Sequence, residues 1–131
     1  MVSMMPEQRG IMLQVNPAFA QMFGYQKPAE LEGHNLDMLL PEPIRSNHDT
    51  FLAEYYENRE SNVVNQVRLV TALNQDHYLM MLIMHMRWAS ETAGTMLAVM
   101  QPVTSQNEVC CIIDTATLRV NYATRNIHTI F

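Results

Sequence analysis

The sequence predicts an α+β fold, in which one early strand and several short helices precede three antiparallel strands. The clearest helix is Pro43–Glu57, whose apolar residues recur at helical spacing. After it the pattern changes to the alternation typical of strands, at Val63–Ala72, His77–Trp88 and Thr95–Val103. This order of elements indicates a sheet with helices packed against it.

The elements of the first half follow from capping and breaker residues. Ile11–Val15 is predicted to be a short strand. Pro17–Phe23 is predicted to be a short helix, because Asn16 can cap it and proline suits a first helical turn. Pro28–Leu31 and Leu36–Leu39 are predicted to be single-turn helices.

One face of the helix Pro43–Glu57 is predicted to point inward. Residues 4, 7, 8 and 11 positions after Ile44 fall on the same side of a helix as Ile44. The residues of this face are Ile44, His48, Phe51, Leu52 and Tyr55. His48 therefore lies on an otherwise apolar stripe.

The strands of the second half are predicted to pair in order. Val63–Ala72 and His77–Trp88 are joined by a short turn, which favours a hairpin. Both faces of His77–Trp88 are apolar near their centre, so we expect the second face to be covered. The candidates for its cover are another copy of the chain, the segment Val109–Phe131, or a flanking domain.

The end of the chain repeats the hydrophobic rhythm of its beginning. Val109–Asp114 is apolar, Leu118–Ala123 is predicted to be a strand, and Thr124–Phe131 is predicted to start a helix. We expect residues 1–104 to form one domain and residues 105–131 to be a linker and the start of a second repeat. The alternative is a terminal strand and helix that complete the first domain.

Composition narrows the class of protein. A length of 131 residues suits one domain of common size. A net charge of −5 disfavours nucleic-acid binding, and no stretch has the length of a membrane span. The adjacent Cys110 and Cys111 are a poor disulfide pair, which suggests a cytoplasmic protein. There is no phosphate loop, nucleophile elbow or metal-ligand spacing, so we expect no enzyme.

The chain contains twelve methionines, a large number for its length. Because methionine is flexible and polarizable, it fills gaps in cores and also lines adaptable binding surfaces. A methionine-tolerant core and a pocket or contact face that re-packs around partners are both consistent with this number.

The first half of the chain resembles a PAS domain. The residues that carry the resemblance are Asn16–Phe19, Phe23–Tyr25, Glu30–Gly33, Leu39–Pro41 and the pair His48-Asp49. It implies a five-stranded antiparallel sheet with helices on one face, and a sensory or protein-interaction module that is not itself an enzyme. The expected partners are a protein or a second copy bound through the sheet, and a neighbouring PAS repeat.

The resemblance also bears on cofactors. Flavin-binding members carry a cysteine motif, but the corresponding segment Gly33–Leu40 has no cysteine, which argues against flavin photochemistry. The segment Leu39–Asp49 is similar to the oxygen-sensing haem PAS domain of FixL kinases. That similarity implies that His48 would be the proximal iron ligand and that Arg68 would lie on the distal side.

Three departures weaken the haem interpretation. In the haem-binding family a residue pairs with one haem propionate, and its position in this chain holds Glu54. The position of the second propionate partner holds Asn62. A distal apolar position is Gln66. The main expectation is therefore no cofactor, with a structural His48 whose imidazole bonds nearby backbone groups, and haem is the alternative. In either case the predicted pocket consists of His48, Phe51, Leu52, Tyr55, Arg68, Met80, Leu82 and Met84.

Overall fold

The computed structural model describes residues 1–57, 67–103 and 110–125, and it has the predicted α+β architecture. The helical elements are α1, two 3₁₀ helices and α2, which span Pro17–Met22, Pro28–Glu30, Leu36–Leu39 and Ile44–Glu57. The strands β1 to β6 span Val2–Ser3, Val67–Leu73, Leu79–Ser90, Thr95–Pro102, Cys111–Asp114 and Arg119–Ala123.

The main sheet contains four antiparallel strands in the order β1-β4-β3-β2. The predicted pairing of the second and third strands is confirmed, because β2 and β3 pair from Leu73 opposite Leu79 to Val67 opposite His85. The side chain of Asn74 closes their turn by accepting a hydrogen bond from the backbone N–H of Tyr78 at 2.9 Å. The predicted strand residues 63–66 lie outside the described residues.

The start of the chain differs from the prediction. The strand expected at Ile11–Val15 is reduced to isolated bridges, from Ile11 to Asn35 and from Met12 to Val2. The regular strand at this edge is β1, whose Ser3 N–H donates to the carbonyl of Ile11 at 2.9 Å. Two paired residues are too few for an alternating pattern to be visible in the sequence, which is why β1 was missed.

The register of the sheet separates an inner face from an outer face, because directly opposed residues in an antiparallel pair point to the same side. Arg68 lies opposite Met84, and Met84 lies opposite Met100. These residues belong to the inner face, which the helices cover. The outer face carries the alternate residues, among which Val67, Leu69, Ile83 and Val99 are exposed.

The helices begin where their capping residues predict. Asn16 caps α1 by accepting from the N–H of Phe19 at 2.8 Å, and the chain turns at Gly24, which has a φ of +86°. Helix α2 begins at Ile44, one residue later than predicted. The Nε of Arg45 donates to the carbonyls of Asp37 and Leu40, at 3.1 and 3.0 Å, and this anchors the first turn of α2 to the preceding 3₁₀ helix.

The buried side chains form two clusters on the inner face. One surrounds Phe23, Leu31 and Leu82 under α1 and the first 3₁₀ helix. The other joins Leu52 and Tyr55 of α2 to Met96 of β4 and to Met4, which directly follows β1. The two clusters together form the core on which the helices rest.

The end of the chain forms a hairpin of β5 and β6. It approaches the rest of the molecule at two points, since Thr124 forms a parallel bridge with Leu79 and the N–H of Glu42 donates to the Tyr122 hydroxyl at 3.5 Å. Thr124 is therefore bridged to the sheet rather than the start of a helix. Residues 105–109 and 126–131 lie outside the described part of the chain, and the domain boundaries stay a prediction.

Candidate ligand-binding site

A cavity of about 1370 Å³ separates the first half of helix α2 from the inner face of the sheet. On the helix side its wall includes Asn47, His48, Phe51 and Leu52. On the sheet side its wall is formed by Arg68, Val70, Ala72, Leu82, Met84, Met86, Met96, Ala98 and Met100. Ligand sites commonly have volumes of about 300–1,000 Å³, so this half-covered space has room for a small molecule.

Methionine dominates the wall of the cavity. Eight of the twelve methionines line it, and they are Met1, Met4, Met12, Met22, Met84, Met86, Met96 and Met100. Of these, Met4, Met12 and Met96 also belong to the buried clusters. The methionines therefore serve the core and the cavity wall at once, and their flexible side chains allow the wall to adapt its shape.

The predicted pocket residues divide into two groups. Six of them line the cavity: His48, Phe51, Leu52, Arg68, Leu82 and Met84. The other two lie beside it, Tyr55 in the cluster with Met4 and Met80 against the cluster with Met12. Whether any of them binds a ligand stays a prediction.

His48 is half-buried at the cavity wall. Burial lowers the pKa of His48, and the nearby charges of Asp37 and Asp49 oppose this shift. The imidazole is stacked near Phe51, with ring centroids 6.3 Å apart. Within the described residues it makes no hydrogen bond, so the expectation that it bonds backbone groups is wrong. Its ring nitrogens are left to water or to a ligand.

Arg68 is half-buried on the inner face of β2 and lines the cavity opposite α2. The sequence left open which face of this strand points inward. Among the described residues only one ion pair is found, between Arg9 and Asp49 at 3.5 Å, so no carboxylate of that part of the chain pairs with Arg68.

Tyr55 lies at the boundary between the cavity and the packed end of α2. Its ring stacks near Trp88 with centroids 6.3 Å apart, and its side chain is buried. Its hydroxyl is a buried polar atom without a hydrogen-bond partner in the described residues. Burial raises the pKa of Tyr55, whereas the positive charge of Arg68 lowers it, so the two side chains lie within electrostatic reach.

The sequence did not predict the part of the wall that comes from the start of the chain. Met4 was missed because the segment before Gly10 had no recognisable element. Met12 was missed because no inward face was assigned to the predicted strand Ile11–Val15, and Met96, Ala98 and Met100 because the face of β4 was not assigned. The alternation of Met96, Ala98 and Met100 in β4 was the available signal.

Other kinds of site find little support in the described residues. No three His, Cys, Asp or Glu side chains of that part of the chain are grouped as metal ligands. None of the described helices combines the length and the apolar character needed to cross a membrane. Cys110 and Cys111 are free thiols, and Cys111 is exposed.

Comparison with known proteins defines the class. A PAS domain family model matches residues 1–105, and the chain belongs to this family of sensory modules, whose members commonly mediate protein interactions and dimerisation. The chain is 31% identical over 67 residues to the sensor protein FixL of Bradyrhizobium diazoefficiens. It is 28% identical over 68 residues to a probable serine/threonine-protein kinase of Dictyostelium discoideum.

These similarities are partial. The matches cover 51% and 52% of this chain, but only 13% of FixL and 4% of the kinase. The relatives are therefore much longer proteins, in which the matched segment is one part.

Proposed function

We propose that the chain is a non-catalytic sensory and protein-interaction module of a larger signalling or scaffold protein. The observation that carries this proposal is the cavity of about 1370 Å³ between α2 and the inner face of the sheet. A binding site between a helix and a sheet allows a bound molecule to change how the helix rests on the sheet. The free thiols support a reducing compartment such as the cytoplasm.

The proposed response begins at the first half of α2. Ile44 and Phe51 line the cavity and are partly exposed, whereas Leu52 and Tyr55 are held in a buried cluster. A ligand would add contacts to the loosely held half and leave the packed half in place. A difference of about 1–3 kcal/mol between the two positions is typical of coupling between sites.

Two surfaces are positioned to transmit a change in the position of α2 to a partner. The first is the hairpin of β5 and β6, because Tyr122 contacts the backbone of Glu42 just before α2. The second is the outer face of the sheet, where Leu69 and Val99 are 63% and 53% exposed. An apolar sheet face of this kind suits contact with a second copy of the chain.

A cavity-filling substitution tests the coupling without a known ligand. Ala98 lines the cavity, so Ala98→Phe should occupy part of its volume. We expect slower amide hydrogen exchange in the first half of α2 and altered exchange in the hairpin. Ala89→Phe, on an exposed part of β3, is the matched control and should change hydrogen exchange neither in α2 nor in the hairpin. Unchanged exchange in α2 and the hairpin of a folded Ala98→Phe protein would refute the mechanism.

A charge on the outer face tests the interaction surface. We expect the chain to dimerise through this face and Leu69→Lys to give monomers, as measured by light scattering over a range of concentrations. The control is Leu118→Lys, which adds the same charge at an exposed hairpin position and should leave the dimer intact. A wild-type chain that stays monomeric would show that a second copy is not the partner.

A haem-based gas sensor is the second candidate function. His48 supports it, because its imidazole lines the cavity without a hydrogen bond to any described residue and burial disfavours its protonated form. The propionate side fits poorly, because Glu54 is an exposed carboxylate where the resemblance calls for a positive charge. The remaining positions, Asn62 and Gln66, lie outside the described residues.

A haemin titration separates the two candidates. A Soret band that appears in the wild type and is lost in His48→Ala would put the gas sensor first. With haem bound, Arg68→Ala should mainly change oxygen affinity. A titration without spectral change removes this candidate and leaves the sensory module.

We also propose that the hairpin begins a second PAS unit. Its support is the antiparallel hairpin formed by Cys111–Asp114 and Arg119–Ala123, which parallels the bridged segments at the start of the chain. A protein shortened after Val103 should then unfold in one cooperative step at an unchanged midpoint. A large loss of stability would instead assign the hairpin to the first domain.

A further inference from the structure

Arg68 is an isolated positive charge in a mostly apolar cavity wall. Its neighbour across the sheet is Met84, and the next pair on the same face is Val70 opposite Leu82. No carboxylate of the described residues forms an ion pair with it. A half-buried charge without a partner is unfavourable, and a bound anion would remove that cost.

A second buried polar group lies on α2, outside the cavity wall. Tyr55 is only 4% exposed, and its hydroxyl has no hydrogen-bond partner in the described part of the chain. Because Tyr55 does not line the cavity and its hydroxyl is buried, a ligand in the cavity would contact Arg68 and not this hydroxyl.

The rest of the cavity limits what the anion can be. Apart from His48, Arg68 and the uncharged polar residues Gln14, Asn16, Gln21, Asn47 and Thr71, the wall consists of methionine and other apolar side chains. A wholly polar anion would leave this wall exposed to water, and a wholly apolar molecule would leave Arg68 unpaired. The cavity therefore suits a molecule with a long apolar body and one negative end.

On the basis of the sensory function argued above, we infer that the cavity binds an aliphatic monocarboxylic acid. Its carboxylate pairs with the guanidinium of Arg68, and its chain lies along the methionine-lined wall. The planar guanidinium suits a carboxylate because it can donate two parallel hydrogen bonds. The methionines would fit chains of different lengths by changing rotamer.

Decanoate and decanol are the probes, because they share an aliphatic chain and differ in the charged end. We expect calorimetry to show that the wild type binds decanoate at least about tenfold more tightly than decanol, as one charge-assisted contact implies. Arg68→Gln should remove this preference, and Arg68→Lys should keep part of it.

Two controls locate the binding. Arg87→Gln removes an exposed arginine from the adjacent strand and should leave the preference for decanoate unchanged. Ala98→Phe narrows the cavity and should weaken the binding of both probes. Decanoate binding that survives Ala98→Phe unaltered would place the acid elsewhere and overturn the inference.

The remaining outcomes are also decisive. Equal affinities for the two probes, or a preference that persists in a folded Arg68→Gln protein, would overturn the carboxylate inference and leave an apolar pocket. Absence of binding by both probes would overturn it too. The sensory function is judged separately, by the hydrogen exchange of Ala98→Phe, which requires no ligand.

Discussion

The two halves of helix α2 lie against the same sheet but have different surroundings. The second half packs tightly, since Leu52 is 4% exposed and Tyr55 and Tyr56 both contact Trp88. Phe51, at the middle of the helix, is 42% exposed although it lies next to Leu52 in the chain. The difference is the cavity, whose helix wall extends from Ile44 to Leu52 and does not include Tyr55 or Tyr56. An amphipathic stripe therefore shows which side of a helix points inward but not what occupies the space opposite.

The largest expected effect comes from truncating two neighbouring residues at the middle of α2, where the cavity wall ends. Leu52→Ala removes a buried side chain from the cluster with Met4 and Met96, and should lower the free energy of unfolding by about 2–4 kcal/mol. Phe51→Ala should cost less than about 1 kcal/mol, because much of its ring is already in contact with water. Urea denaturation of both variants measures the contrast. Similar losses would mean that Phe51 is as well packed as Leu52.

The same contrast should hold on the sheet side of the interface. Met96 and Met100 lie on one face of β4 and both line the cavity, but Met96 is buried in the cluster with Leu52 and Tyr55, whereas Met100 is half-buried. Met96→Ala should cost about 2–3 kcal/mol, and Met100→Ala clearly less, because less of the Met100 side chain is removed from water. A Met100→Ala protein as unstable as Met96→Ala would contradict the position assigned to the cavity.

His48, in the first half of α2, makes the stability of the protein depend on pH. Burial holds its pKa in the folded protein below the ordinary value of 6.5, so the unfolded chain binds the proton more tightly. Stability is therefore complete above pH 6.5 and falls as the pH drops through that value toward the lowered pKa. Comparing the unfolding free energy at about pH 8 and about pH 5, we expect His48→Gln to lose less than the wild type. Equal losses of unfolding free energy in the two proteins would mean that His48 is not the source of the pH dependence.

Much of the fold could be predicted because its signals are local. The caps Asn16 and Gly24, the helical spacing in Pro43–Glu57 and the turn after Leu73 each act over a few residues. Strand β1 could not be predicted, because a paired segment of two residues is stabilised by its neighbours in the sheet rather than by its own pattern.

The site was less predictable than the fold. The helix-side residues of the cavity followed from one periodic stripe, but Met4 and Met12 reach the wall only through the pairing at the start of the chain. The inward position of Arg68 depended on the register between β2 and β3, and a shift of one residue would have placed it on the outer face. The sequence contains no direct signal for register in such an evenly apolar hairpin.

The smallest expected effect on stability is at Tyr55, where the packed half of α2 meets the cavity. Because its hydroxyl has no partner in the described residues, Tyr55→Phe removes a buried polar atom without breaking a hydrogen bond. The ring keeps its contact with Trp88, 6.3 Å between centroids, so packing should be unchanged. We expect the free energy of unfolding to stay within about 0.5 kcal/mol of the wild type or to rise. The control is Tyr56→Phe, which removes a hydroxyl bonded to the sulfur of Met5 at 3.5 Å and should destabilise the protein. A Tyr55→Phe protein that loses more stability than Tyr56→Phe would show that the Tyr55 hydroxyl is already satisfied by a hydrogen bond in the folded protein.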